Sequence, residues 1–129
     1  MSFKKVAIIG GGNLGSSIAK GLLGAKLIVP TDLTVTRRRL HLIDDLKLAG
    51  VIVTTSNVEA VKSSELIILA VKPHQVMGVV DEIADFIDPQ KHVLVSVITG
   101  VTSSQLEQMF TNIPIFIRRR PFDCHTSLE

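Results

Sequence analysis

Val6-Ala7-Ile8-Ile9-Gly10-Gly11-Gly12-Asn13-Leu14-Gly15 is the stretch that decides the fold. Its first four residues are apolar and mostly β-branched, as in a strand buried on both faces. The next six fit the spacing G-x-G-x-x-G and run into a segment of small and apolar residues, 13–23, that reads as a helix. Strand, glycine turn and helix in direct succession form a unit suited to a dinucleotide. Gly10 permits the tight turn, Gly12 lets the backbone approach a pyrophosphate, and Gly15 lets the helix pack closely on its strand. The helix start offers free N–H groups and the positive end of a dipole to the phosphates. Ile9, Gly10, Gly11, Gly12, Asn13, Leu14 and Gly15 are therefore candidate cofactor-binding residues. A glycine loop of purely structural purpose is the competing reading.

Outward from this unit, strand-like runs recur at 33–36, 51–54, 65–71, 92–98 and 113–117, which makes six strands with the first. Helical segments lie between them at 38–48, with Leu at 40, 42, 46 and 48, at 73–86 and at 103–110, with a short turn at 58–62. Pro73 suits a first helical turn, and Ser104 followed by Glu107 offers a capping box. Such alternation predicts right-handed crossovers and an α/β, doubly wound (Rossmann-like), mostly parallel sheet, a single domain in three α/β/α layers. The expected domain is 1–117. Residues 118–129, with Pro121, Cys124 and His125, lose all periodicity and read as an irregular tail.

Composition agrees with one domain: 129 residues, 46% hydrophobic but only 4% aromatic, with no Trp or Tyr. The core must be aliphatic. Fourteen basic against twelve acidic residues give a formal charge of +2, too mild and dispersed for a general nucleic-acid or membrane surface. The longest apolar runs are about six residues, against about 20 for a membrane-spanning helix. The start of the chain has no signal-peptide pattern, and the one cysteine cannot form an internal disulfide, so a reducing, cytoplasmic setting is expected.

The end of the second strand sets the cofactor. An NAD-binding domain places Asp or Glu there, about 20 residues after the glycine turn, to hold the ribose hydroxyls. This chain reads Thr36-Arg37-Arg38-Arg39 instead, with Asp32 at the strand's opposite end. Three cations at a helix start oppose the dipole by about 0.3–1 kcal/mol each unless an anion answers them. The 2′-phosphate of NADP(H) is that anion, with Arg37 and Arg38 as forks and Thr36 as a hydroxyl donor. A solvated basic helix start is the alternative. The same missing acid argues against a methyltransferase.

Other chemistry finds no support. His41, His74, His92 and His125 show no metal-ligand spacing, and no metal is expected. His74 is open between a place in the crevice and a surface or capping role. Ser96, Thr99 and Ser104 lack His–Asp partners and a nucleophile elbow, so hydrolase chemistry is set aside. Asp81, Glu82, Asp85 and Asp88 read as a solvated acidic face.

Ile8 to Gly15, Ser56-Asn57-Val58-Glu59-Ala60-Val61, Ile68-Leu69-Ala70-Val71-Lys72-Pro73 and Val95-Ser96-Val97-Ile98-Thr99-Gly100-Val101 together resemble the N-terminal half of pyrroline-5-carboxylate reductase. The glycine turn is shared by many dehydrogenases. Leu-Ala-Val-Lys-Pro with a Ser-x-x-x-Gly strand end is more particular. The resemblance implies proline synthesis by hydride transfer from NADPH to 1-pyrroline-5-carboxylate. It places Asn57 near the adenosine ribose, Ala70, Val71, Lys72 and Pro73 along the nicotinamide ribose, and Val97, Ile98 and Thr99 beside the nicotinamide. Asn57 as a helix cap, Lys72 as a solvated cation and Pro73 as a structural residue stay open beside those roles. The family usually reads Arg-x-Met-Pro-Asn after the sixth strand, where this chain has Arg118-Arg119-Arg120-Pro121-Phe122. The family's helical domain, which makes its dimer and most of its substrate site, does not follow. The expectation is a chain furnishing the cofactor half, whether truncated, divergent or frame-shifted, or a stand-alone cofactor module, with catalytic residues unknown and a homo-oligomer left open. Another NADP-dependent dehydrogenase, acting on a hydroxyacid or a deazaflavin, and a non-catalytic nucleotide-binding module are the alternatives.

Overall fold

The computed structural model describes residues 5–88, 90–97, 115–117 and 127–128. Among these residues seven strands form one sheet: β1 (Val6–Ile9), β2 (Leu33–Thr36), β3 (Ile52–Thr54), β4 (Leu66–Leu69), β5 (Val93–Ser96), β6 (Ile115–Ile117) and β7 (Ser127–Leu128), in the order β3-β2-β1-β4-β5-β6-β7. All neighbours pair in parallel except β6 and β7, which are antiparallel. The helices are α1 (Asn13–Gly24), α2 (Asp44–Leu48), α3 (Asn57–Lys62) and α4 (Val76–Ile83).

All four residues of β1 are buried, because the strand sits inside the sheet with a helical layer on each side. Val6 and Ile8 join one core cluster with Leu33, Val35, Ile43 and Leu46, against which Leu14, Ile18 and Leu22 of α1 pack. Ala7 and Ile9 point the other way, into a cluster with Ala60 and Val61 of α3 and Val76, Val80 and Ile83 of α4. Side-chain alternation along one strand thus assigns α1 and α2 to one face and α3 and α4 to the other. The chain winds outward from β1 through β2 to β3, then returns to β4 on the far side of β1. The switch point lies above β1 and β4, where open α/β sheets bind ligands.

Several boundaries differ from the sequence expectation. The fourth strand stops at Leu69 rather than 71, since the chain must clear the glycine turn: a Cβ on Gly10 would lie 2.9 Å from the Ala70 carbonyl carbon and the Val71 nitrogen. The helix expected at 38–48 is a 3₁₀ turn, Leu40–Ile43, followed by α2. Asp44 and Asp45 in the first turn of α2 suit a helix start, and Ile43 and Leu46 carry its burial, whereas Leu48 is 89% exposed. Arg37 to Arg39 therefore precede the helix, and the dipole argument made for them does not hold. The segment 73–86 divides into a 3₁₀ turn at Pro73–Gln75, α4 and a second 3₁₀ turn at Ala84–Phe86. The third and fifth strands are shorter than expected, with Val51 and His92 just outside them. The seventh strand lies in the segment read as an irregular tail; two residues carry no periodicity to read, yet they cover an otherwise open sheet edge. The expected helix at 103–110 and its Ser104–Glu107 box lie outside the described residues.

Candidate functional site

A cleft of about 1030 Å³ opens over the switch point. Gly10, Gly11 and Gly12 line one side, with Thr36, Arg37, Arg38 and Arg39 beside them. Ala70, Val71, Lys72, His74 and the α4 residues Gly78, Val79, Asp81 and Glu82 form the facing side, with Asn57 between. The size lies at the upper end of ligand sites, about 300–1,000 Å³.

The glycine turn is fastened to the end of β2. Gly11 N–H donates to the Thr36 carbonyl at 2.7 Å, and Gly10 N–H donates to Thr36 Oγ1 at 3.2 Å. Arg37 Nη1 donates to the Gly11 carbonyl at 2.8 Å, and Ser16 Oγ donates to the same carbonyl at 3.0 Å. Gly10 holds φ +102°, a conformation that side chains with a Cβ rarely adopt. A Cβ on Gly15 would collide with the Gly10 carbonyl oxygen, so the third motif glycine makes room for the turn itself. Gly12 has no protein atom within 4 Å of where its Cβ would be: what its bareness leaves room for is the cleft. It is the N-cap of α1, which carries no side-chain cap and no acidic residue in its first turn. The start of α1 thus carries the positive end of its dipole with no acidic side chain in its own first turn to answer it.

Thr36, expected as a phosphate donor, is 2% exposed and braces the turn as an acceptor. Arg37 is half-buried, whereas Arg38 and Arg39 are exposed. Among the described residues none of the three guanidinium groups is in an ion pair; the one salt bridge, Lys20–Asp45 at 2.8 Å, lies outside the cleft. The Lys20 ammonium holds the Asp45 carboxyl below its ordinary value by hydrogen bonding to it.

Asn57 does not cap α3. That role falls to Ser56, whose Oγ accepts from Glu59 N–H at 3.2 Å, while Asn57 Nδ2 donates to Glu82 Oε1 at 2.7 Å. Lys72 N–H donates to Gln75 Oε1 at 3.2 Å, closing the turn that Pro73 begins.

Not every expected residue reaches the cleft. Ile9 is core, Gly15 is buried, Leu14 is half-buried against the core, and Asn13 and Pro73 are exposed outside the lining. Val97 is packed in the core, with its N–H on the Leu69 carbonyl at 3.1 Å. Ile98 and Thr99 lie outside the described residues. Sequence reasoning missed Arg39, Leu42, Thr55 and the face Gln75, Gly78, Val79 and Glu82. The signal for that face was present as i, i+3, i+4, i+7 spacing. Asp81 and Glu82, read as solvated, are exposed but line the cleft.

Among the described residues, no group of three or more His, Cys, Asp or Glu is placed to hold a metal, and no helix is long and apolar enough to cross a membrane.

The sequence profile of a family described as NADP oxidoreductase coenzyme F420-dependent matches residues 5–100. Pyrroline-5-carboxylate reductase 1 of Dictyostelium discoideum is 35% identical over 117 residues, which is 90% of this chain and 21% of that protein. A pyrroline-5-carboxylate reductase from Coxiella burnetii has a similar structure, with TM-score 0.82 and 31% identity over 88% of this chain and 43% of that one. Plasmodium falciparum pyrroline carboxylate reductase, solved with NADP bound, shares the fold at TM-score 0.76 and 24% identity, over 88% of this chain and 40% of that one. The chain thus spans between about a fifth and about two fifths of the length of these relatives. The expected doubly wound fold, the expected resemblance and the expected NADP cofactor class all hold. The chain belongs to the family described as NADP oxidoreductase coenzyme F420-dependent and resembles the N-terminal part of pyrroline-5-carboxylate reductases.

Proposed function

We propose that the cleft holds NADP(H) and that the chain is the cofactor half of a reductase converting 1-pyrroline-5-carboxylate to L-proline. One observation carries the cofactor assignment: the uncapped start of α1 and three guanidinium groups, none in an ion pair with a described residue, line one cleft. In this reading Gly10 to Gly12 and the first turn of α1 take the pyrophosphate, and the exposed Arg38 forks the 2′-phosphate, while Arg37, expected to share that role, has its head group on the Gly11 carbonyl. Asn57 faces the adenosine ribose and Ala70 to Lys72 the nicotinamide ribose.

When bound, the cofactor supplies the hydride; the chain's own residues bind and orient it. The cytoplasm is the compartment consistent with this role. The test is NADPH oxidation, followed by nicotinamide absorbance, in the protein supplied with 1-pyrroline-5-carboxylate. Turnover with that imine supports the assignment. The family's own description favours one second reading, a deazaflavin partner. NADPH oxidation that requires coenzyme F420 and ignores the imine would replace the first reading with it.

A further inference from the structure

Arg37 differs from the two arginines that follow it. Its N–H donates to the Thr54 carbonyl at 3.2 Å and its Nη1 to the Gly11 carbonyl at 2.8 Å, so both its backbone and its head group are tied down. Arg38 and Arg39 are exposed, with no described side-chain partner. The atom that Arg37 holds matters. A carbonyl oxygen within a phosphate-binding turn has the wrong sign for an anion. Here a guanidinium and the Ser16 hydroxyl both donate to it, offsetting its negative end and fixing the peptide plane between Gly11 and Gly12. Together with the Gly10 and Gly11 N–H bonds to Thr36, this makes the last residue of β2 and the Arg37 that follows it a clamp on the turn. A guanidinium has five N–H donors, so one bond to Gly11 leaves others for a ligand.

We infer that Arg37 is a positioning residue for the pyrophosphate turn, acting on NADH and NADPH alike, whereas Arg38 and Arg39 distinguish the two nucleotides through the 2′-phosphate. The inference rests on the NADP(H) reading of the cleft. It is tested by calorimetric titration of Arg37→Ala, Arg37→Lys and Arg38→Ala with NADH and NADPH, together with amide hydrogen exchange at Gly10 and Gly11 in the nucleotide-free proteins. Arg37→Ala is expected to lower affinity for both nucleotides by roughly tenfold or more, the weight of a charge-assisted bond. Arg38→Ala lowers NADPH affinity selectively. Arg37→Lys recovers NADH affinity, because an ammonium group can make the single bond to the carbonyl. The Gly10 and Gly11 amides exchange faster in Arg37→Ala than in Arg38→Ala. An Arg37→Ala protein that loses only NADPH affinity, or whose turn amides exchange at the unsubstituted rate, overturns the inference. If the unsubstituted protein binds neither nucleotide, the NADP(H) reading falls, and the exchange result alone then supports or overturns the clamp.

Discussion

The two sides of the cleft are built on different terms. On the glycine side, backbone and side-chain groups of Gly10, Gly11, Thr36, Arg37 and Ser16 bond to one another. On the α4 side, Lys72, Pro73, His74, Asp81 and Glu82 are exposed, and above the apolar packing of α3 on α4 the bond from Asn57 to Glu82 joins the two helices. The first side is a fixed frame that offers donors in one geometry. The second keeps rotamer freedom that a bound ligand must restrict. On the proposed NADP(H) reading, the phosphates fall to the first side, and adjustment to the rest of the ligand falls to the second.

The largest effect should come from breaking the frame. Gly15→Ala puts a methyl group onto the Gly10 carbonyl and should lower the unfolding free energy by about 3 kcal/mol in a urea titration. Retained stability would mean that the frame yields. Beneath the other side, His92 is 2% exposed: its Nδ1 accepts from Asp88 N–H at 2.8 Å, and Nε2–H donates to the Val61 carbonyl at 2.9 Å. The ring therefore ties the end of α3, whose first residue is Asn57, to the approach to β5. His92→Ala orphans the Asp88 N–H and leaves the Val61 carbonyl with the Ser64 N–H at 3.3 Å, and should cost about 2 kcal/mol by the same titration.

Gly12→Ala sharpens the contrast, since its Cβ meets only open cleft. Stability should change by less than about 1 kcal/mol, while NADPH affinity drops. Ser64 Oγ is buried without a partner among the described residues, so Ser64→Ala should leave stability unchanged or raise it by up to about 1 kcal/mol. Smallest of all is the Lys20–Asp45 pair joining α1 to α2. The folded carboxyl titrates below its ordinary value, so the pair's contribution is present above the ordinary carboxylate range and vanishes as pH falls through the lowered value. Melting curves of Asp45→Asn and the unsubstituted protein should differ slightly at neutral pH and coincide in acid.

The same contrast explains what could be read in the sequence. The frame is local: ten consecutive residues supply strand, turn and helix start, and Gly10, Gly12 and Gly15 carry their roles in their lack of a side chain. The arginine cluster was legible as the wrong charge in the place of an expected acid. The α4 side was not, because tertiary packing broke the expected helix into three pieces and turned two carboxylates of its acidic face toward the cleft. Thr36 was misjudged for the same reason: its partner, Gly10, lies 26 residues away, and only the β1–β2 register brings them together. Ser56 displaced Asn57 as the cap of α3 because its oxygen sits three residues before the Glu59 N–H.

The most direct test of the account is calorimetric titration of the unsubstituted chain with NADPH and with NADH, repeated after changing Arg38 and Arg39 together to Ala. The account predicts that NADPH binds about tenfold tighter or more, and that the double substitution erases the preference. Equal affinity for the two nucleotides, or a preference that survives loss of both arginines, would contradict it.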